Sequence, residues 1–267
     1  MNTLEFRMVD ILKELKEKYA ATCVRAEFEA EGTKLEELLR LKDICMTAEL
    51  GLTLKIGGCE SIRDMLEAKI VGVDYLEAPM VESAYAMRKY LQAVNKIFTA
   101  DEREDIEILC DIETATASKN LEAMLEIPER AALQGIVIER VDLCFSLGLG
   151  ENEINKMEIN TLVLDIIDTA KRNDVQCIIG GGVSAHSLPF FRSIPAGRLN
   201  RYETRKVCFA CPEALEGSPE KGILKALGFE LLWLKNKVSY YNGISTVDKE
   251  RMDLIEHRYL TEIEALI

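Results

Sequence analysis

The chain has 267 residues and a formal charge of −13, from 33 Lys and Arg against 46 Asp and Glu. Hydrophobic residues make up 48% and charged residues 30%, a mixture that excludes a disordered or collagen-like chain. The acidic balance argues against nucleic acid as a partner, because binding to a phosphate backbone requires a basic surface.

The first predicted element is an amphipathic helix over Thr3–Tyr19. It begins almost at Met1, without the regions of a signal peptide, and no stretch reaches the roughly 18 apolar residues of a membrane span. Most of the eight cysteines lie in apolar runs, as is typical of reduced core thiols. We therefore expect a cytoplasmic protein that does not enter membranes.

Short apolar or β-branched runs then alternate with helical stretches, which is the pattern of parallel βαβ units. The predicted strands are Thr22–Glu29, Leu52–Ile56, Asp74–Ala78, Glu107–Ile112, Gly135–Glu139, Gln176–Ile179, Tyr202–Phe209 and Phe229–Leu234. Eight strands with intervening helices predict a (β/α)8 barrel in the α/β class, as a single domain with an N-terminal and a C-terminal helix. An open doubly wound sheet is the alternative, but no GxGxxG follows the first strand.

The last predicted element is a C-terminal helix over Asp248–Ile267. Its apolar side carries Met252, Ile255, Tyr259, Ile263 and Leu266. In a barrel we expect this helix to close the bottom or to pack against a second subunit.

Two acids end neighbouring predicted strands, where barrels place their chemistry. Glu113 follows the run Ile108–Ile112, and Asp142 follows the run Ile136–Ile138. Two converging carboxylates repel each other unless a cation lies between them, and carboxylate oxygens suit Mg²⁺ or Mn²⁺. The spacing therefore indicates a divalent-metal pair. The alternative is that one acid pairs with Arg140 or caps a helix.

Other charged residues lie on the predicted strands. Lys55 interrupts an apolar strand, so its amine would hold a substrate carboxylate, form a Schiff base or pair with a neighbouring acid. Alternation places Arg25, Glu27 and Glu29 on one face, where they would serve a site or form a buried ion network.

Later features carry weaker signals. Glu203 and Arg205 share one side of a strand, as in a fork that binds an anion. His186 follows a glycine turn and is expected to start a helix rather than to catalyse. Cys208 and Cys211 form a lone CxxC, which cannot fill a tetrahedral zinc site, so burial is expected.

Three segments resemble motifs of the HpcH/HpaI aldolase/citrate lyase family. Leu76–Ser83 (LEAPMVES) resembles its PMVE(S/T) strand end, and Asp111–Thr114 (DIET) resembles its IET strand. Ile138–Leu143 with Ser146–Gly148 resembles the strand end that carries its metal-binding Asp. The likeness covers roughly residues 26–150.

The resemblance implies one aldolase/citrate-lyase-like barrel domain over residues 1–267, assembled as a homo-oligomer. It also implies a divalent cation, Mg²⁺ or Mn²⁺, held by Glu113 and Asp142 and chelated by a 2-oxo acid. Family members make or break a carbon–carbon bond beside a pyruvate enolate or an acyl-thioester. The metal would stabilise the enolate charge.

The chain departs from the family pattern at its other charged positions. Lys55 stands where pyruvate aldolases carry Arg, Ala30 and Glu31 stand where they carry a His after an acid, and Glu139-Arg140 replaces Gly-Pro. The leading hypothesis is still a metal-dependent carbon–carbon lyase acting on a 2-oxo acid or related carboxylate. Its roles are metal ligation by Glu113 and Asp142, substrate binding by Lys55 with Arg140 or Arg205, and proton transfer by Glu27 or Glu29.

Three alternatives stay open. Lys55 would instead act as a Schiff-base nucleophile, which borohydride trapping with pyruvate would reveal. A barrel that has lost catalysis would serve as a binding or assembly protein. Chemistry on a phosphoenolpyruvate-like substrate would need Gly180–Gly182 to cradle a phosphate, although a tight turn is the simpler interpretation.

Overall fold

The computed structural model describes the backbone of residues 1–264 and the side chains of residues 1–257. Its strands close into one eight-stranded barrel in chain order. They are β1 (Ala21–Glu27), β2 (Gly51–Lys55), β3 (Tyr75–Ala78), β4 (Glu107–Ile112), β5 (Gly135–Glu139), β6 (Gln176–Gly180), β7 (Arg201–Glu203) and β8 (Val207–Ala210). The predicted α/β barrel is therefore confirmed.

Helices surround this barrel and precede and follow it. Over the described backbone they are α1 (Thr3–Tyr19), α2 (Leu35–Ala48), α3 (Ile62–Val71), α4 (Ala84–Ile97), α5 (Ala100–Glu104), α6 (Ala115–Leu125), α7 (Arg140–Ser146), α8 (Met157–Arg172), α9 (Leu188–Ser193) and α10 (Pro219–Glu264). The predicted N-terminal and C-terminal helices are present as α1 and α10. Within the described residues, none of these helices has the length and apolar character needed to cross a membrane.

The last strand departs from the regular pattern. β1 to β7 pair in parallel, whereas β8 runs antiparallel to both β7 and β1. The prediction of one strand over Tyr202–Phe209 is wrong, because the chain turns back at Thr204, whose N–H donates to the Val207 carbonyl at 2.9 Å. The turn contains no Gly, Pro or Asn to signal it.

The predicted strand at Phe229–Leu234 is also wrong, since it lies within α10. The helix packs against α1 and buries Ala226, Phe229 and Trp233, which recur at helical spacing. Leucines on the opposite face complete the apolar run, so the sequence looks like a buried strand. The helix predicted over Asp248–Ile267 is helical as far as Glu264. Residues 265–267 lie outside the described residues, as do the side chains of Tyr259, Ile263 and Leu266.

The barrel interior changes character along its axis. Leu109, Val137 and Ile178 are buried and form an apolar cluster of their own, against which Tyr75 packs. Towards the carboxyl ends of the parallel strands, the inward positions become charged. Strand register places Lys55 beside both Glu27 and Glu77. The apolar cluster thus fills the amino-terminal part of the barrel interior, and a layer of ionisable side chains lies above it towards the carboxyl ends of the strands.

Candidate active site

A cavity of about 820 Å³ opens at the carboxyl ends of the parallel strands. Its charged lining consists of the bases Arg25, Lys55 and Arg205 and the acids Glu27, Glu29, Glu139, Asp142, Glu151, Glu203, Glu220 and Glu230. Because acids outnumber bases in this lining, the cavity attracts cations.

Arg25 lies at the centre of the buried charge. Its Nη2 is 2.6 Å from Glu77 Oε1 and 3.4 Å from Glu139 Oε1. Its Nη1 is 3.0 Å from Glu203 Oε1 and 3.6 Å from Glu27 Oε1. Oxygens of Glu77, Glu139 and Glu203 lie within 4.8 Å of one another, a spacing that also suits a metal. Here the guanidinium group is the cation between them.

One guanidinium cannot neutralise four carboxylates. Burial raises the pKa of Glu203 well above its usual range, and Arg25 only partly offsets this effect. Burial also raises the pKa of Glu27, again against the attraction of Arg25. Protons bound to Glu203 and Glu27 therefore neutralise part of the interior negative charge, in addition to Arg25.

Lys55 is enclosed by carboxylates. Its Nζ lies 2.7 Å from Asp111 Oδ2, 3.1 Å from Glu113 Oε2 and 3.4 Å from Glu29 Oε2. Burial by itself would lower the pKa of Lys55, but the acids, Asp111 first among them, raise it above the usual value. The Lys55 side chain is therefore an ammonium ion that is paired with the carboxylates of Asp111, Glu113 and Glu29.

Glu113 follows β4, and both of its carboxylate oxygens accept hydrogen bonds. Oε2 accepts from Lys55 Nζ at 3.1 Å, and Oε1 accepts from the Met80 backbone N–H at 2.5 Å. Met80 has a left-handed φ of 55°, unusual for a residue other than glycine. Burial raises the pKa of Glu113, and the nearby charge of Asp142 adds to this effect.

Asp142 lies in the first turn of α7, just beyond β5. It is exposed and lines the cavity, and within the described residues its carboxylate makes no hydrogen bond or ion pair. β4 and β5 are adjacent strands, as the sequence predicted. The two acids interact electrostatically, and among the described residues no guanidinium group pairs with either of them.

Arg140, a predicted substrate ligand, is fully buried and bonded to the chain itself. Its Nε and Nη2 donate to the carbonyls of Gly180 and Gly181 at 3.2 and 2.9 Å. Nη1 donates to Asn155 Oδ1 at 3.1 Å, and Nη2 also donates to Ser187 Oγ at 3.1 Å. Burial lowers its pKa to about 10. In this arrangement Arg140 holds the loop after β6.

The glycine turn after β6 allows close packing against β5. A Cβ on Gly180 would lie 2.7 Å from Glu139 Oε1, and one on Gly181 would lie 2.5 Å from the Arg140 backbone nitrogen. Gly181 also has a φ of 72°. These close contacts explain why the chain has glycine at these positions, and they agree with the interpretation of Gly180–Gly182 as a tight turn.

Arg205, the second predicted substrate ligand, lies in the β7–β8 turn and lines the cavity. Its Nε is 3.3 Å from Glu31 Oε1. The next residue, Lys206, is buried, pairs with the same carboxylate and donates to the Arg25 carbonyl at 3.3 Å. Glu31 thus ties the loop after β1 to the hairpin.

The ion network contains acids that the sequence analysis did not assign to the site. They are Glu77, Asp111 and Glu139, all buried. Inward alternation along β4 carries the missed signal, because Asp111 lies two residues before Glu113 and so points to the same side.

The remaining sequence features carry no site in the described residues. His186 is exposed in a short 3₁₀ turn. Cys208 is buried with its Sγ 3.3 Å from Glu203 Oε2, Cys211 is half-buried, and the converging acidic set includes neither Cys nor His. The expected burial of the CxxC pair therefore holds for Cys208, whereas Cys211 is only half-buried.

A closed α/β barrel with an ionisable cavity at the carboxyl ends of its strands has the arrangement of barrel enzymes. The family model described as HpcH/HpaI aldolase/citrate lyase matches residues 41–184. The chain belongs to this family, and its activity is therefore of the aldolase/citrate lyase type. No curated protein sequence matches the chain.

Solved structures share the fold at low sequence identity. An HpcH/HpaI aldolase from Desulfitobacterium hafniense DCB-2 has 13% identity and a TM-score of 0.60, over 76% of this chain and 83% of that one. A family protein from Burkholderia cenocepacia J2315 has 13% identity and a TM-score of 0.59, over 76% and 93% of the chains. Citrate synthase SbnG has 14% identity and a TM-score of 0.61, over 87% and 90%.

Proposed function

We propose that this protein is a divalent-metal-dependent carbon–carbon lyase acting on a 2-oxo acid or a related small carboxylate. The observation that carries the proposal is the pair Glu113 and Asp142, which end adjacent strands of a family barrel beside an acidic cavity. The family motifs carry the same two acids.

The residues fit a hard divalent cation such as Mg²⁺ or Mn²⁺. Each oxygen of Glu113 accepts one hydrogen bond and so keeps a free lone pair, while Asp142 is uncommitted within the described residues. Oxygen donors of this kind, completed by water and substrate, suit these metals. Glu113 and Asp142 would hold the ion.

An anionic substrate needs such an ion because the cationic side chains around the cavity are already engaged. Arg25 contacts four carboxylates, Lys55 contacts three, and Arg205 pairs with Glu31. A bound divalent cation would act as a Lewis acid on the 2-oxo group and stabilise the developing enolate charge.

The chain's own residues would move the protons. Glu27 lines the cavity, and its raised pKa brings it closer to the range in which a carboxyl group exchanges protons near neutrality. In the cleavage direction it takes the proton of the substrate hydroxyl while the carbon–carbon bond breaks. The electron pair stays on the pyruvate portion, whose C3 carbon then regains a proton. Glu29 is the second candidate, 3.4 Å from Lys55.

Lys55 serves this scheme as a fixed positive charge rather than as a nucleophile. Imine formation requires a neutral amine, whereas three carboxylates hold this one as ammonium. Its contact with Glu113 orients that carboxylate.

Exchange of the C3 protons of pyruvate in D2O, followed by NMR, tests the proposal without knowledge of the acceptor. We expect exchange with Mg²⁺ or Mn²⁺, its loss with EDTA, and its loss in Glu113→Gln. Exchange that survives EDTA would contradict metal dependence. A lack of exchange together with a lack of metal binding would favour the binding-protein alternative.

Further assignments are part of the same proposal. We place the protein in the cytoplasm, in agreement with the eight free cysteines, and expect it to form homo-oligomers. Its net acidic charge agrees with a small-molecule substrate rather than nucleic acid.

A further inference from the structure

The cavity at the carboxyl ends of the strands has an apolar wall. The wall is formed by Val141, just beyond β5, by Val183, after the β6 glycine turn, and by Ile223, Leu224 and Leu227 of α10. Val141, Val183 and Ile223 are half-buried. Neither metal ligation nor proton transfer, as proposed, uses any of these side chains.

The apolar residues are neighbours in space. A Cβ on Gly182, which directly precedes Val183, would lie 3.3 Å from Val141 Cγ2. The following 3₁₀ turn, Ala185–Ser187, contacts α10. The wall therefore extends from the β5 loop across the β6 loop to α10.

The wall begins beside the proposed metal site. Val141 immediately precedes Asp142, and both residues line the cavity with Lys55 and Glu27. The cavity volume of about 820 Å³ lies within the range of roughly 300–1,000 Å³ of sites that hold drug-sized ligands, which are much larger than pyruvate. Space therefore remains along the apolar wall once a 2-oxo acid occupies the charged end.

The charges of the lining limit what this space can bind. Each lining cation, Arg25, Lys55 or Arg205, is paired with acids among the described residues. Glu220 lies one helical turn before Leu224, lines the cavity and is exposed, and it makes no hydrogen bond or ion pair within the described part of the chain. A carboxylate or phosphate on the second reactant would meet this acid and no free cation, so its desolvation there would be unfavourable.

We propose that the apolar wall binds the second reactant of the lyase, and that this reactant is an uncharged aldehyde with an apolar chain. The inference rests on the proposed lyase function and names its substrate class. In the condensation direction, C3 of the pyruvate enolate forms the new bond to the aldehyde carbon, and the aldehyde oxygen takes up a proton to become the hydroxyl group. Val141 and Val183 contact the aldehyde chain, and burial of each methylene group tightens its binding by up to about fourfold.

Condensation of pyruvate with two matched aldehydes tests the selectivity. Hexanal and 6-oxohexanoate have chains of the same length, but the second ends in a carboxylate. We expect kcat/KM to favour hexanal by about tenfold or more. Glu220→Lys, which places a cation beside the wall, should narrow this ratio.

A variant of the wall separates apolar contact from shape. Val183→Thr keeps the branched shape but adds a hydroxyl group, so it should lower kcat/KM for hexanal severalfold relative to acetaldehyde, whose chain is too short to reach the wall. Val247→Thr is the matched control, because Val247 is 64% exposed on α10 and does not line the cavity. This control should leave the ratio of the two aldehydes unchanged.

Binding of the corresponding alcohols tests the wall without any chemistry. Saturation-transfer NMR should detect 1-hexanol more strongly than 6-hydroxyhexanoate, with the 1-hexanol signal reduced in Val183→Thr and unchanged in Val247→Thr. If pyruvate does not exchange its protons but 1-hexanol binds in this way, the lyase function fails and the apolar subsite stands. Equal binding of the two alcohols, equal kcat/KM for the two aldehydes, or a Val183→Thr variant that changes neither measurement would overturn the inference even where pyruvate exchange is normal.

Discussion

Arg25 is the residue on which the buried charge of this barrel depends. Its guanidinium contacts four carboxylates on four strands, and its side chain is 4% exposed. Removing one partner from a buried ionic group leaves the others uncompensated, which costs far more than the loss of a surface pair.

We therefore expect Arg25→Met to lower the free energy of unfolding by about 3–5 kcal/mol, measured by urea denaturation. Arg205→Met removes a half-exposed ion pair to Glu31 and should lower it by less than about 1 kcal/mol. Equal losses of unfolding free energy in the two variants would show that protonation, rather than Arg25, neutralises the buried acids.

The raised pKa of Glu203 makes stability depend on pH. Burial favours the protonated form in the folded chain, so the folded state binds more protons than the unfolded one above the unfolded pKa of about 4.3. This contribution is complete below that pKa and is lost as pH rises through the higher folded value. Glu203→Gln should thus flatten the decline in stability between pH 5 and 8, by at most about 1.4 kcal/mol per pH unit.

Urea denaturation at several pH values measures this difference. Glu158→Gln, which removes an exposed acid from α8, controls for the loss of one negative charge. Curves that stay parallel for Glu203→Gln and the unmodified chain would contradict a buried proton on Glu203.

Among the structural elements, the β6 turn shows how glycine sets the position of a strand end. Gly181 and Gly32 both have left-handed φ values, 72° and 55°. A Cβ on Gly181 would lie 2.5 Å from the Arg140 backbone nitrogen, whereas one on Gly32 would meet nothing within 4 Å. A side chain would strain the backbone at both glycines, but it would also overlap with neighbouring atoms only at Gly181. Comparing substitutions at the two positions therefore distinguishes the two effects.

We predict that Gly181→Ala lowers the free energy of unfolding by about 2–5 kcal/mol, since left-handed strain and overlap both act there. Gly32→Ala should cost only about 1–2 kcal/mol, from strain alone. Chemical denaturation of the two variants gives the comparison, and similar losses would contradict the packing of Gly181 against β5.

Secondary structure follows from the sequence where a short apolar run is bounded by polar or turn-forming residues. Strands such as Glu107–Ile112 and Gly135–Glu139 were predicted with the bounds that they have. The hairpin at Thr204 was missed because β-type alternation continues through a turn without Gly, Pro or Asn. Phe229–Leu234 was misassigned because Phe229 and Trp233 pack on the barrel while Leu231 and Leu234, on the opposite face, are exposed leucines that complete the apolar run.

For the whole molecule, the barrel and the adjacency of Glu113 and Asp142 follow from strand order, which the sequence specifies. The network of Arg25 with Glu77, Glu139 and Glu203 does not, because it joins residues from four strands whose register is set by closure of the barrel. Alternation along one strand predicts which side of the strand a charged residue lies on. The residue with which it pairs is determined only when the barrel closes.

Calorimetric titration of Mn²⁺ into EDTA-treated protein tests the central claim most directly. We predict one ion bound per chain, with binding abolished in Glu113→Gln and Asp142→Asn. Glu151→Gln, which changes an exposed acid in the lining of the same cavity, should bind Mn²⁺ as the unmodified chain does. An unmodified chain that binds no Mn²⁺, or Glu113 and Asp142 variants that bind it unchanged, would contradict the account.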